Sequence, residues 1–218
     1  MQSEFWHERW RTGQIGFHQS SVDRNLKRHW PALRLGVGSR VFVPLCGKSL
    51  DMLWLRDQGH PVIGVELSVI ALEAFCMENG IPARRRLHNG FEVYEATNLE
   101  LLCGDFFALT RTTIQEVAAV YDRAALISWT QELRAPYVRH LTGLLKPGTP
   151  ILLHALEYPQ AQMPGPPFSL ERGEIEHLYA PYCNIREIDR QDILATETRL
   201  RARGVTELCE VCYLMVRT

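Results

Sequence analysis

The chain has 218 residues, enough for one domain with a substantial core, and its 46% hydrophobic and 22% charged residues are typical of a soluble globular protein. A formal net charge of −1 argues against nucleic acid or an anionic membrane as a partner. The sequence has neither the roughly 20 consecutive apolar residues of a spanning helix nor the apolar core of a signal peptide. We therefore expect a cytoplasmic protein.

Two short helices are predicted ahead of the first strand, over residues 3–10 and 22–30, with Ser21 preceding the second and Pro31 ending it. The aromatic face of the first helix consists of Phe5, Trp6 and Trp10. A parallel sheet does not require these helices, so we expect residues 1–35 to form a lid over the site. The alternative is that their aromatic side chains pack on the flank of the sheet.

The chain is organised around residues 40–51, RVFVPLCGKSLD, and residues 61–66, PVIGVE. Both begin as short apolar runs that indicate buried strands. The first run ends in a tight turn that leads into a helix, and the second ends on an acid. This order of strand, turn, helix, strand and acid forms the nucleoside-binding crevice of open parallel sheets. We predict that Glu66 accepts hydrogen bonds from both hydroxyls of a ribose.

The remainder of the chain alternates strands with helices, which predicts an α/β fold with a doubly wound sheet. Residues 91–95 are expected to form a hairpin with 99–103, and residues 84–87, RRRL, a surface segment. The proline-rich residues 158–168 are expected to be irregular. The seven predicted sheet strands are residues 41–44, 62–66, 99–103, 117–121, 150–156, 184–189 and 205–216. The predicted helices beyond the N-terminal pair are residues 49–57, 68–78, 131–145, 171–179 and part of 191–202.

The six cysteines are scattered, mostly within apolar runs, which favours reduced and buried side chains. Cys209 and Cys212 form a Cys-x-x-Cys pair inside a strand-like run, where residues three apart point to opposite faces. The sequence holds no second pair of this kind. We therefore expect neither a metal site nor a redox pair here.

The Gly47-Lys48-Ser49 turn invites comparison with a phosphate-binding loop. That motif needs a glycine at position 42, which is Phe42, and the dinucleotide fingerprint Gly-x-Gly-x-x-Gly is also missing. A pyrophosphate needs a glycine-rich helix N-terminus, so NAD and FAD are disfavoured. A cofactor without phosphates, such as S-adenosylmethionine, suits a turn that is poorer in glycine.

Three consecutive strand ends offer what such a cofactor needs. The turn at residues 45–47 can hold the methionine end, Glu66 the ribose, and Asp105 with Phe106 the adenine. An acid that closes a strand is often only a solvated turn residue. The correct order of all three features is a stronger indication than any one of them.

On these residues the chain resembles the bacterial type of thiopurine S-methyltransferase. The matching stretches are WHERWRTGQIGFHQ (6–19), VPLCGKSLDML (43–53), GHPVIGVE (59–66), YDRAAL (121–126), PGPPF (164–168) and CNIREID (183–189). The resemblance implies a Rossmann-like class I methyltransferase with a mostly parallel, seven-stranded sheet flanked by helices. It also implies one domain over residues 1–218, with an N-terminal helical lid at 1–35 and the cofactor-binding core at 36–218.

The resemblance also implies roles for individual residues. Trp10 reaches over the cofactor, Leu45 lines it beside Glu66, and Arg123 faces the transfer point, where it contacts both cofactor and substrate. Arg199 matches a second arginine that faces the substrate.

Other implied roles concern the adenine and the acceptor. Asp105 replaces the serine of the mammalian pattern, so the apolar contact from Phe106 to adenine is the firmer expectation. Phe17 is expected to wall an apolar slot for a flat ring, together with Trp6, Trp10 and residues 164–168. His18 is either a proton relay or a structural residue.

The implied reaction is transfer of a methyl group from S-adenosylmethionine to the sulfur of a thiopurine-like small molecule. Bacterial relatives are also associated with detoxification of selenium and tellurium compounds. We expect a monomer without a nucleic-acid or membrane partner. The alternatives are a non-catalytic binder of adenosyl ligands and, on the same type of sheet, a nicotinamide-dependent oxidoreductase.

Overall fold

The computed structural model describes residues 3–218, which fold into two compact units. The first unit ends at Tyr121, and the second comprises Asp122–Thr218. The helices of the first unit are α1 Ser3–Arg11, α2 Arg24–His29, α3 Asp51–Asp57, α4 Val69–Glu78 and α5 Arg111–Ile114. Its strands are β1 Val41–Val43, β2 Val62–Glu66, β3 Arg84–His88, β4 Phe91–Ala96, β5 Leu99–Cys103 and β6 Ala119–Arg123, whose last two residues belong to the second unit.

The sheet of the first unit has the strand order β3-β4-β5-β2-β1-β6. Strands β5, β2, β1 and β6 run parallel, whereas β3 and β4 are antiparallel additions. Every residue of β1 and β2 is buried. Continuous apolar runs of this kind are typical of parallel strands covered on both faces, which is why the sequence pattern identified them. The carboxyl ends of these strands meet at one edge, where the predicted cofactor residues follow them.

The predicted number of seven strands is too low, because residues 3–218 contain nine. The segment predicted to be a surface run is the edge strand β3, which pairs with β4. Arg85 pairs with Glu73, and Arg86 pairs with Glu95, at 2.7 and 2.9 Å. Charged side chains on an edge strand discourage pairing with other chains. Because these charged side chains replace alternating apolar residues, the sequence pattern did not predict the strand.

The predicted hairpin is confirmed. Strands β4 and β5 pair antiparallel from Ala96↔Leu99 to Glu92↔Cys103. Asn98 in the connecting turn has a φ of 55°. Asparagine tolerates this left-handed conformation better than most residues do, so the turn chemistry supports the hairpin.

The second predicted helix begins and ends differently from the expectation. Asp23 is the N-cap of α2, and its carboxylate accepts from the backbone N–H groups of Asn25 and Leu26. Pro31 does not end the helical segment but lies in the first turn of a 3₁₀ segment, Trp30–Leu33. Proline is tolerated there because the first turn of a helix needs no backbone donor.

The second unit contains helices α6 Gln131–Leu144, α7 Arg172–Tyr179 and α8 Thr198–Ala202. Its strands are β7 Pro150–Glu157, β8 Cys183–Asp192 and β9 Cys209–Arg217, which form an antiparallel set in the order β7-β9-β8. Cys209 and Cys212 lie on β9, as predicted, and all six cysteines are free thiols. Within residues 3–218, no helix combines the length and the apolar character needed to cross a membrane.

Candidate cofactor site

The turn after β1 is held against β2 by backbone contact. The N–H of Cys46 donates to the carbonyl oxygen of Val65 at 2.9 Å. A Cβ added to Gly64 on β2 would lie 2.7 Å from the Sγ of Cys46, so only glycine leaves room for the turn. Leu45 and Gly47 have φ angles of 47° and 53°. The turn therefore places left-handed backbone, which is costly for Leu45, at the carboxyl end of β1.

Glu66 ends β2 and is joined to this turn. Its Oε2 accepts from the N–H of Gly47 at 2.9 Å, and its Oε1 accepts from the N–H of Ser68 at 2.8 Å. The side chain is 7% exposed. Burial raises the pKa of Glu66, while the N–H groups of Ser68, Gly47 and Leu67 oppose that rise. A carboxylate oxygen has two lone pairs, so each oxygen retains capacity for a ribose hydroxyl.

Helix α1 covers the turn with an aromatic side chain. Two ring carbons of Trp10, Cζ2 and Cη2, lie 3.2 and 3.6 Å from where a Cβ on Gly47 would be. Trp10 is 7% exposed and packs edge-to-face on Phe17, with ring centroids 5.5 Å apart. Phe17 packs in the same way on Trp6 at 5.5 Å. The structure thus brings three predicted aromatic residues together beside the turn.

The predicted adenine residues follow β5. The N–H of Gly104 donates to the backbone oxygen of Glu66 at 2.9 Å, which places this segment beside the end of β2. Asp105 is exposed, and its Oδ1 accepts from the N–H of Phe107 at 2.9 Å, so it caps the following 3₁₀ turn. Phe106 is 4% exposed. The hydrogen bond from Asp105 to adenine stays a prediction, beside this local structural role.

Two contacts at the site were not predicted from the sequence. The Nζ of Lys48 lies 2.6 and 2.9 Å from the carboxylate oxygens of Glu78, so Lys48 ties the turn to α4. Ser68 is the N-cap residue of α4, but its side chain makes no capping hydrogen bond. It is fully buried, and its N–H orients Glu66. The Glu-x-Ser spacing at a strand end is the signal that would have indicated this.

These contacts match the chemistry of an adenosyl cofactor. The first unit offers a buried acid with spare acceptor capacity, the polar backbone of the turn at residues 45–47, and apolar side chains from Trp10 and Phe106. The missing side chain of Gly47 lets the Trp10 ring pack directly against the turn, where a Cβ would lie 3.2 Å from its Cζ2. The residues present therefore fit a nucleoside that carries an amino-acid tail, and the contact of Glu66 with a ribose stays a prediction.

In the second unit, Arg123 is the half-buried last residue of β6. The preceding Asp122 is fully buried, and its carboxylate accepts from the hydroxyl of Tyr137 at 2.7 Å and the N–H of Leu126 at 3.2 Å. Burial raises the pKa of Asp122 to about 6. These bonds fix the backbone on both sides of Arg123. Its role toward a ligand stays a prediction.

Arg199 lies on α8, next to the predicted proline-rich loop at residues 164–168. Leu200 of α8 packs in one apolar cluster with Met163, and Arg203 donates to the backbone oxygen of Pro166 at 3.5 Å. The Arg199 side chain is 54% exposed, and its Nε lies 3.5 Å from Glu197. The structure thus brings α8 and the loop together, whereas the contact of Arg199 with substrate stays a prediction. The proton relay proposed for the half-buried His18 also stays a prediction.

Comparison with solved structures identifies the fold. A methyltransferase from Anabaena variabilis that depends on S-adenosylmethionine has a TM-score of 0.65 at 15% identity, covering 99% of this chain and 95% of that one. The Burkholderia thailandensis 1,6-didemethyltoxoflavin-N1-methyltransferase, with its substrate and S-adenosylhomocysteine bound, has a TM-score of 0.63 at 13% identity. It covers 99% of this chain and 86% of that one. The predicted class I methyltransferase fold is confirmed.

Comparison of sequences identifies the family. The profile of the family described as Thiopurine S-methyltransferase (TPMT) matches residues 1–218. The thiopurine S-methyltransferase of Nitrosospira multiformis is 46% identical over 216 residues, which cover 99% of this chain and 98% of that protein. That of Bordetella parapertussis is 47% identical over 219 residues, covering 100% and 99%. A likeness of this extent, on a chain whose first unit fits an adenosyl ligand, shows that the protein belongs to the thiopurine S-methyltransferase family and uses S-adenosylmethionine as its methyl donor.

Proposed function

We propose that this methyltransferase acts on the sulfur of thiopurines and of other aromatic or heterocyclic thiols. The observation that supports this most is the aromatic cluster of Trp6, Phe17 and Trp10 beside the cofactor turn. Flat aromatic walls suit a flat heterocycle, because ring pairs add stacking or edge contacts to simple apolar burial. The names of the bacterial relatives agree with this class of acceptor.

On the donor side, each residue has a holding role. When bound, S-adenosylmethionine supplies a methyl group that its positive sulfur already activates. Glu66 holds the ribose, the backbone at Leu45 and Gly47 receives the amino-acid end, and Phe106 contacts the adenine. Trp10 covers the turn and excludes water. The enzyme gains rate mainly by alignment, which can contribute on the order of 7–11 kcal/mol in well-oriented pairs.

On the acceptor side, we assign Arg123 and Arg199 to the anionic form of the substrate. A guanidinium group favours a thiolate by its charge and by directional hydrogen bonds. The thiolate is the reactive nucleophile, and a heteroaromatic ring delocalises its charge, so the acceptor ionises without a strong protein base. The proposal therefore assigns no general base. The same arginines would accept small selenium or tellurium anions, and we propose detoxification of these as a second activity.

We propose that residues 1–35 act as the lid of a single methyltransferase domain, and that the protein is a cytoplasmic monomer. The contact of Trp10 with the Gly47 turn supports the lid. Size-exclusion chromatography with light scattering would test the monomer.

The direct test of the function is transfer of a radiolabelled methyl group to a mercaptopurine by the purified protein. We expect labelled S-methyl product at the sulfur. The matched control is the corresponding hydroxypurine, which has the same ring without the thiol and should receive no label. A protein that binds S-adenosylmethionine but labels no thiol, selenol, selenite or tellurite would contradict the proposal and favour the non-catalytic binder.

A further inference from the structure

Arg134 on α6 is a buried cation in the second unit, and it donates to four oxygen atoms of three residues. Its side chain is 4% exposed. Its Nη1 lies 2.6 Å from both carboxylate oxygens of Glu174 on α7. Its Nε donates to the backbone oxygen of Trp129 at 3.2 Å, and its Nη2 donates to that of Ser169 at 3.1 Å. The cation is therefore paired and hydrogen-bonded, as a buried charge must be to be tolerated.

This arrangement needs arginine rather than any other cation. The three nitrogens of one planar group reach three separate segments, namely α7, the end of the β6–α6 connection, and the end of the 164–168 loop. Lysine carries its three N–H donors on a single nitrogen at the end of a flexible stem, so it cannot span acceptors that Arg134 contacts through three separate nitrogens. Arg134 therefore links three segments, and we call Arg134 with its hydrogen-bond partners on these segments the brace.

One arm of the brace holds the 164–168 loop. The guanidinium lies 5.8 Å from the ring centroid of Phe168, whose N–H donates to the backbone oxygen of Ile127 at 2.7 Å. The Phe168 ring lies so close to Gly165 that a Cβ there would be 2.4 Å from it. The loop is thus folded onto its own aromatic residue, and that residue is fixed to the segment before α6.

The other arm holds the segment that follows Arg123. Residues 126–129 lie within the connection between β6 and α6, and they provide the carbonyl oxygens of Ile127 and Trp129 that bind Phe168 and Arg134. The N–H of Leu126 donates to Asp122 at 3.2 Å. A continuous set of hydrogen bonds therefore runs from the residue before Arg123, through residues 126–129, to Arg134 and the loop.

We propose that Arg134 is a positioning residue for the acceptor: it fixes the 164–168 loop to the segment that follows Arg123. This inference rests on the proposed function, in which the loop and Arg123 serve the thiol. Arg134 touches neither reactant. Its loss therefore weakens acceptor binding, while donor binding, which the first unit provides, is unchanged.

The test compares Arg134→Lys with a matched control, Arg217→Lys. Arg217 also donates to two backbone oxygens, those of Thr142 and Tyr182 at 3.1 and 3.0 Å, and lies 6.0 Å from the Tyr182 ring. Its hydrogen bonds reach α6 and residues 182 and 218 rather than the 164–168 loop, so Arg217→Lys measures the purely structural cost of the same change. For Arg134→Lys we expect the Michaelis constant for a mercaptopurine to rise at least about tenfold, with the calorimetric Kd for S-adenosylmethionine within about twofold of the unaltered enzyme.

For Arg217→Lys we expect a lower melting temperature and unchanged constants for both substrates. If Arg134→Lys does not fold, Glu174→Gln weakens the same brace by removing one charge. For Glu174→Gln we expect the Michaelis constant for a mercaptopurine to rise about threefold. The inference would be overturned if a folded Arg134→Lys or Glu174→Gln variant kept the Michaelis constant of the unaltered enzyme for the mercaptopurine. It would also be overturned if Arg217→Lys raised that constant equally, and in both cases the proposed function would stand. Absence of thiol methylation by the unaltered enzyme would overturn the proposed function, and this inference with it.

Discussion

The N–H of Gly47 donates to the Oε2 of Glu66 at 2.9 Å, so the turn after β1 and the acid that ends β2 form one bonded unit. The opposite oxygen of Glu66 is held by Ser68. Both oxygens are thus oriented before any ligand arrives. Preorganisation of this kind improves affinity, because less freedom is lost on binding.

The first prediction concerns the packing of this turn on β2. Gly64→Ala should lower the free energy of unfolding by about 1–3 kcal/mol, because the new methyl group would meet the buried Sγ of Cys46 at 2.7 Å. Thermal or denaturant unfolding measures this. Gly143→Ala on α6 is the matched control, since a Cβ there meets nothing within 4 Å. It should leave stability unchanged or raise it by up to about 1 kcal/mol. Equal effects of the two changes would contradict the packing argument.

The second prediction concerns the cover provided by α1. Trp10→Ala should weaken S-adenosylmethionine binding by about tenfold, since it removes a large buried ring from beside Gly47. Trp10→Phe keeps an aromatic ring and should lose less of the affinity for S-adenosylmethionine. Calorimetric titration of both variants gives the two affinities. Binding as tight in Trp10→Ala as in the unaltered protein would show that α1 does not cover the donor.

The third prediction concerns Arg123. Arg123→Ala should reduce the rate of methyl transfer to a thiol by at least about tenfold, with a smaller effect on donor affinity, because its charge is assigned to the thiolate. Arg123→Lys retains the charge and should recover part of the rate. Steady-state kinetics and calorimetry separate the two quantities. A donor affinity that falls as much as the rate would place Arg123 in donor binding instead.

The fourth prediction concerns the pH dependence of stability. The pKa of Asp122 is raised to about 6 by burial, so the folded state binds its proton more tightly than the unfolded state does. The carboxyl group therefore loses its stabilising contribution as pH rises from about 4 through about 6. Relative to that of Asp122→Asn, the free energy of unfolding of the unaltered protein should fall by up to about 3 kcal/mol over that pH range. Denaturant unfolding at pH 4, 5, 6 and 7 measures the difference. A difference that does not change with pH would contradict the raised pKa.

The sequence alone identified the parallel strands because their residues are continuously apolar. It singled out Glu66 because the acid stands in order between two other strand-end features, the turn at residues 45–47 and Asp105 with Phe106. It did not reveal β3, where Arg85 and Arg86 form ion pairs along an edge and no apolar face alternates. Contacts that depend on distant segments were also beyond it. The brace around Arg134 has no signature in residue spacing, because it joins groups that only the folded chain brings together. The bond from Ser68 to Glu66 was not predicted either, although the Glu-x-Ser spacing at the strand end is a signal for it.

The central claim is that Glu66 grips the ribose of the methyl donor. The most direct measurement is the calorimetric Kd for S-adenosylmethionine in Glu66→Gln, with Glu73→Gln on α4 as the control, since Glu73 pairs with exposed Arg85. Glutamine can offer only one oxygen where both Gly47 and Ser68 need an acceptor. We expect binding to weaken by about 10- to 100-fold, as befits the loss of hydrogen bonds to a charged group. An affinity equal to that of the unaltered enzyme would contradict the claim.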